Sequence, residues 1–217
     1  MTDAGLKYLA GLLTLQQLIL DRTKMTDAGL VHIGKLRSLR LLSLSDTKIT
    51  DLGLGHLKNL SHLEVLHMDQ TAIEGHGLDS LQGSMKSLRE LTLSYAHVDD
   101  QGLKSLSRMV GLRRVLLNGT KVTDAGLSQL SELTDLESIQ LDGTGITGNG
   151  IEHLMRLAHL RELSLDDTQL GEEALPYLSK MKSLKLLSVV ETRLSAEAVA
   201  RLRLTLPGCE IRSNAQR

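Results

Sequence analysis

Eight histidines, one cysteine and a scatter of aspartates are the groups in this chain with chemistry to offer. His32, His56 and His153 share one helix position on an outer face. His32 and His56 would sit on adjacent helices about 8–10 Å apart, and two ligands without a third make a weak metal site. His67 has Asp69 one strand step along, but no nucleophile accompanies the pair. Asp142, Asp166 and Asp167 gather carboxylates on adjacent strands. Calcium takes six or more oxygens, so solvated carboxylates are the better reading. Cys209 falls near the chain end, where a buried structural thiol is the simpler assignment. The stretch Gly143 to Gly150 looks like a phosphate loop but follows a glycine slot that recurs along the chain. Asn59-Leu60-Ser61 and Asn118-Gly119-Thr120 fit the glycosylation pattern and are read as chance. No catalytic residue, metal site or cofactor is expected.

What positions all these groups is a repeat. Thr23, Thr47 and Thr71 are 24 residues apart, as are Thr120, Thr144, Thr168 and Thr192. Each follows a Leu-x-x-Leu-x-Leu-like string, such as Leu39, Leu42 and Leu44. That period is the signature of a leucine-rich solenoid. With the first Leu as position one, alternation at positions four and six predicts a strand with one face inward. The hydroxyl at position nine is expected to turn inward and bond backbone amides of the loop leaving the strand, with Ala96 the exception. Thr-Asp-Ala-Gly-Leu follows at residues 2–6, 26–30 and 123–127, with Thr-Asp-Leu-Gly-Leu at 50–54. Thr reads as an N-cap and Asp as a first-turn residue that complements the helix dipole. The recurring Gly, which costs about 1 kcal/mol inside a helix, implies a steric reason, here close approach of helix to strand layer.

The expected fold is α/β: a right-handed, curved β-α superhelix with a parallel sheet on the concave face and helices on the convex face. One continuous domain, residues 1–217, is expected to hold a partial first repeat (1–12), eight full repeats (13–203), and a C-terminal cap and tail (204–217). Leu204, Leu206, Cys209 and Ile211 would form that cap, with Cys209 at the first position of an abortive ninth unit. The third full repeat is one residue longer than the rest, through Gln-Gly-Ser-Met-Lys-Ser-Leu, so that Thr71 and Thr120 lie 49 residues apart, 24 plus 25.

Composition narrows the partner. Aromatic residues make up 1% of the chain, consistent with regular coils whose gaps Leu fills. A net charge of −1 argues against nucleic acid. No apolar run approaches the ~20 residues of a membrane span. The opening segment lacks a leader pattern and reads as the second half of a repeat, so the chain either starts there or continues from further coils. With a single cysteine, a reducing compartment and a cytoplasmic location are the expectation. Nothing in the sequence sets an oligomeric state.

On these residues the chain resembles the Thr-Asp-Ala-Gly-Leu class of leucine-rich repeat proteins, common in bacteria. It is also similar to the Cys-containing class found in F-box-type ubiquitin-ligase subunits. The likeness covers residues 1 to about 212, and the ending Leu-Pro-Gly-Cys-Glu-Ile looks like a terminal repeat of the bacterial group. The resemblance implies a non-catalytic module that binds a protein or peptide on its concave face. The alternatives are a substrate-recognition part of a ubiquitin-ligase-like complex and a secreted effector domain.

Outward strand positions are free to serve such binding. Position two is largely basic (Arg40, Arg89, Arg113, Arg161, Lys185). Positions seven and eight are acidic (Asp21, Asp69, Asp142, Asp166, with Asp46, Asp167 and Glu191). This polarity either keeps the sheet soluble or recognises a partner with a basic stripe. Tyr95 is the one aromatic side chain at a concave position and sits beside the Ala96 irregularity. It is either a contact or cover for the gap Ala96 leaves. The expected contact surface is His67, Gln70, Thr92, Tyr95, Arg114 and Leu116, with Asp142 and Asp166 on the acidic edge.

Overall fold

The computed structural model describes residues 2–214. Nine short strands form one parallel sheet in chain order. They are β1 (Gln17–Ile19), β2 (Leu41–Ser43), β3 (Val65–His67), β4 (Glu90–Thr92), β5 (Arg114–Leu116), β6 (Ser138–Gln140), β7 (Glu162–Ser164), β8 (Leu186–Ser188) and β9 (Glu210–Arg212). The register never slips. Leu18, Leu42, Leu66, Leu91, Val115, Ile139, Leu163, Leu187 and Ile211 stand in one row at position four. All but Leu18 in that row are buried, and with the leucines of positions one and six they build one continuous core.

The sheet has one strand more than the eight full repeats predict. Glu210–Arg212 pairs with β8 through Leu186↔Glu210, so the chain end continues the sheet. That register puts Cys209 at position two, not one. Leu206 and Ile211 are buried, but Leu204 is 82% exposed and caps nothing. Leu204 lies on the outward side of the helix Ala196–Thr205, which Leu202 anchors from its inner side.

Helices pack behind the strands, but not one regular helix per coil. Coils with the full Thr-Asp motif start α-helices: Asp27–Ile33, Asp51–Leu54 and Asp124–Leu130. In two coils without it, 3-10 turns form instead, at His76–Leu81 and Gly148–Arg156, whereas Asp99 and Ser195 cap α-helices at Asp100–Leu106 and Ala196–Thr205. Gly75 stands at the N-cap of the first and offers no side chain to an orphan amide. Helical turns are wider than the ~4.8 Å between strands, so the stack bends with the sheet inside, about 38 Å across nine strands.

The position-nine hydroxyl works in the opposite sense to the one expected. Thr47, Thr71, Thr120, Thr144 and Thr168 donate to the position-six carbonyl three residues back, at 2.5–2.7 Å. They close the turn as donors and accept nothing from loop amides. At Ala96 the backbone amide makes the equivalent bond to Leu93 O at 3.1 Å.

Two further expectations change at the helix start. Thr26, Thr50, Thr123 and Thr147 do cap, each accepting from the amide two residues on. Beside Thr26, Thr50 and Thr123 an Asp does more than face a dipole: it reaches into the next coil. Asp27 accepts from Thr50 N and Oγ1 at 2.8 and 2.7 Å, and Asp100 from Thr123 N and Oγ1 at 2.8 and 2.6 Å. The recurring Gly makes room for this contact. A Cβ at Gly53 would lie 2.7 Å from Leu30 Cδ1 and 2.8 Å from Asp27 Cγ, so the neighbour it spares is the preceding coil's helix, not the strand layer.

Candidate functional site

Position eight carries the side chains most free to project. Arg22, Asp46, Gln70, Tyr95, Asp167 and Glu191 all have φ between 54° and 58°, and Gly119 and Gly143 share that left-handed bend. A left-handed residue costs about 1 kcal/mol or more for a side chain other than Gly. The turn enforces it because the position-eight amide reaches a carbonyl of the next coil in every case but Glu191, which donates to Asn214 Oδ1. Tyr95 N donates to Asn118 O at 2.6 Å and Gly119 N to Asp142 O at 2.7 Å.

Tyr95 is 63% exposed. Its ring lies on Gly119, where any Cβ would collide with it. Gly143, one coil further, is also bare at this position. The ring therefore rests one face on backbone and leaves the other open, beside a strip two coils long without side chains. Ala96, next to it in the chain, is buried at 4% exposure.

Strand register brings His67, Thr92, Leu116 and Gln140 into one row, and Glu90, Arg114 and Ser138 into the row beside it. His67 Nε2 lies 3.1 Å from Glu90 Oε1. Arg114 is half-buried; its Nε is buried without a hydrogen-bond partner, and none of the ion pairs among the described residues includes it. Thr92 is buried, with its hydroxyl held by Asp69 at 2.6 Å, so it offers a partner little surface. Gln70 and His67 instead line a shallow recess of about 440 Å³ together with Asp21, Asp46 and Asp69. Asp142 and Asp166 stand apart from this group on the exit edge of β6 and β7, about 19 Å from His67 to the farther one at ~4.8 Å per strand.

The acidic edge has a structural use that the sequence reading missed. Each position-seven Asp accepts from the position-five hydroxyl and the position-seven amide of the next coil. Asp21 holds Ser43 Oγ at 2.6 Å and Ser45 N at 2.9 Å; Asp69 holds Thr92 Oγ1 and Ser94 N at 2.6 and 2.7 Å. Asp142 holds Ser164 Oγ and Asp166 N at 2.6 and 2.9 Å, and Asp166 holds Ser188 Oγ and Val190 N at 2.9 and 2.7 Å. The signal was present in the two columns: every Asp at position seven is followed, one coil on, by Ser or Thr at position five. Burial raises the Asp142 carboxyl above its ordinary value, the Ser164 and Asp166 hydrogen bonds pull it back, and the Asp166 charge adds to the rise.

The basic column is partly paired. Arg40 meets Glu64, and Arg113 lies 3.3 Å from Glu137. Burial pushes the Cys209 thiol up, which disfavours the reactive thiolate. Among the described residues, no group of three or more His, Cys, Asp or Glu is placed to hold a metal. No described helix is long and apolar enough to cross a membrane.

A parallel-stranded solenoid with an open inner sheet defines a class of repeat proteins built to present surface. The chain belongs to the leucine-rich repeat family: the family described as a leucine-rich repeat region matches residues 1–197. Its members are in general protein–protein interaction modules and typically non-catalytic. Among solved structures the fold is similar to that of an internalin C2 from Listeria monocytogenes, with a TM-score of 0.73 and 22% identity over 99% of this chain and 84% of that one. No curated protein matches the sequence.

Proposed function

We propose that this chain is a non-catalytic platform that binds a protein or peptide on its concave face, with contact centred on Tyr95, Arg114, Leu116, His67 and Gln70. The observation that carries this reading is Tyr95, an aromatic ring fixed by a left-handed backbone and seated on Gly119 with its other face in solvent. A rigid ring loses little entropy on binding, and Tyr and Arg are enriched among hot spots. Arg114 adds a guanidinium with no carboxylate of its own, suited to an acceptor on the partner. Asp142 and Asp166 extend the surface along the acidic edge, where they stitch coils and would meet a basic stripe. Thr92 supplies shape alone. The Thr–Asp bonds between coils support membership of the bacterial Thr-Asp-Ala-Gly-Leu class, and the lone cysteine supports a reducing, cytoplasmic setting.

The test is calorimetric titration with a binder selected on the wild-type protein from a peptide or protein display library. Tyr95→Ala is expected to weaken it by about 1–2 kcal/mol, with Arg114→Ala similar. Affinity is expected to fall as salt rises from low to high. Unchanged affinity in both variants would remove this centre, and a flat salt response would remove the basic stripe.

A further inference from the structure

We propose that a cleft at the other edge of the sheet, where the repeat breaks step, docks an acidic peptide segment carrying a bulky apolar side chain. The longer third full repeat, the fourth coil when the partial first one is counted, turns through Gly83 at a φ of +72°. A cleft of about 340 Å³ opens between this loop and the corresponding loop of the fifth coil. Its apolar wall is Leu81, Met85, Met109 and Val110, and Val110 is 63% exposed. Its charged rim is Lys86, Arg89 and Arg108. A neighbouring groove shares Gly83 and Lys86 and adds Arg37 and Lys58. No carboxylate lines either one; the closest ion pair, Arg108 with Asp79, spans 3.9 Å.

The walls are held. The Arg89 guanidinium donates to Lys86 O, Leu88 O and Gly111 O at 2.9, 3.0 and 3.2 Å, tying the two loops together. The cleft is thus formed before any ligand arrives, which lowers the ordering cost of binding. Of these five cations only Arg108 has a carboxylate partner, and the four left without counter-charge among the described residues favour an anionic segment. Val110, backed by the nearly buried Met85 and Met109, would gain nothing from a bare phosphate or a nucleic-acid backbone, but it would cover a Leu, Met or Phe. Methionine-lined grooves adapt to such side chains. Extent is limited as well. In the sixth coil the same loop carries Glu132, Asp135 and Glu137, which would repel an acidic segment. From the second to the fifth coil is about 14 Å, or roughly four extended residues. The site is separate from the concave centre and does not depend on it.

A random peptide library displayed on phage, selected on the wild-type protein with counter-selection on a Lys86→Glu, Arg108→Glu variant, tests this. Both residues are exposed, so the variant should fold, and far-ultraviolet circular dichroism checks that it does. The expected yield is peptides with Asp or Glu flanking a large apolar residue. Their affinity should drop about tenfold or more in Lys86→Glu and in Val110→Glu, and persist in Tyr95→Ala. Failure to enrich acidic-apolar sequences overturns the proposal. So does unchanged affinity when Ser replaces the peptide's apolar residue, an outcome that would make the cleft a general polyanion site. Loss in Tyr95→Ala alone would assign the peptides to the concave face instead.

Discussion

Gly102→Ala sets two effects of known size against each other. Gly102 lies inside the helix Asp100–Leu106, where replacing Gly by Ala gains about 1 kcal/mol of helix propensity. The structure opposes it. The new methyl would run into Glu74 O, with Gly75 Cα at 3.2 Å. These are backbone atoms of the preceding coil, so no side-chain rotation relieves the contact. Overpacking of this kind costs about 1–3 kcal/mol and more where backbone must shift. The net expectation is a loss of about 2 kcal/mol. In urea unfolding followed by circular dichroism, a slope of about 3 kcal/mol per molar moves the midpoint down by roughly 0.7 M. Gly11 is the control: nothing lies within 4 Å of a Cβ there, so Gly11→Ala should be neutral or stabilising by up to about 1 kcal/mol. A Gly102→Ala midpoint equal to or above wild type would refute the claim that this glycine exists to admit the neighbouring coil.

Two more substitutions probe the turn and the acidic edge. Thr120→Val keeps shape but removes the bond to Leu117 O; because that carbonyl also accepts from Thr120 N at 3.3 Å, the loss should be about 1 kcal/mol, read from the same urea midpoints. A carboxyl raised on folding stabilises below its ordinary value, and that contribution is lost as pH rises through the folded value. Asp142 is such a group, so Asp142→Asn, which keeps an acceptor for Ser164 and Asp166, should gain relative stability as pH rises from acid to neutral. Parallel pH–stability curves for the two proteins would count against it.

The leucine period carried the coil, strand position and sheet polarity because a strict spacing admits one way to bury every sixth-position side chain. Bonds between coils were harder to read. Asp27 and Thr50 lie far apart in sequence, and only the stacked register shows that one serves the other. The direction of the Thr hydroxyl was open for a related reason: Thr donates as readily as it accepts, and the geometry of the turn decides. The ninth strand hid behind a sequence with Ile211 but without the leading leucines. Of the concave residues, Tyr95 stood out by type, whereas Thr92 could not be known to be tied to Asp69 until the two columns were set one coil apart.

Because each position-seven Asp finds its hydroxyl in the following unit, the units differ in whether they can be copied. The stretch from Leu160 to Ser183 carries Ser164 and Asp166, so tandem duplicates of it would satisfy one another without end. A duplicate of the unit holding His67 and Asp69 would set an imidazole where Asp69 needs an alcohol. Gene-level growth of this array is therefore easiest near its carboxyl-terminal third, and a protein engineer seeking a longer version should splice there.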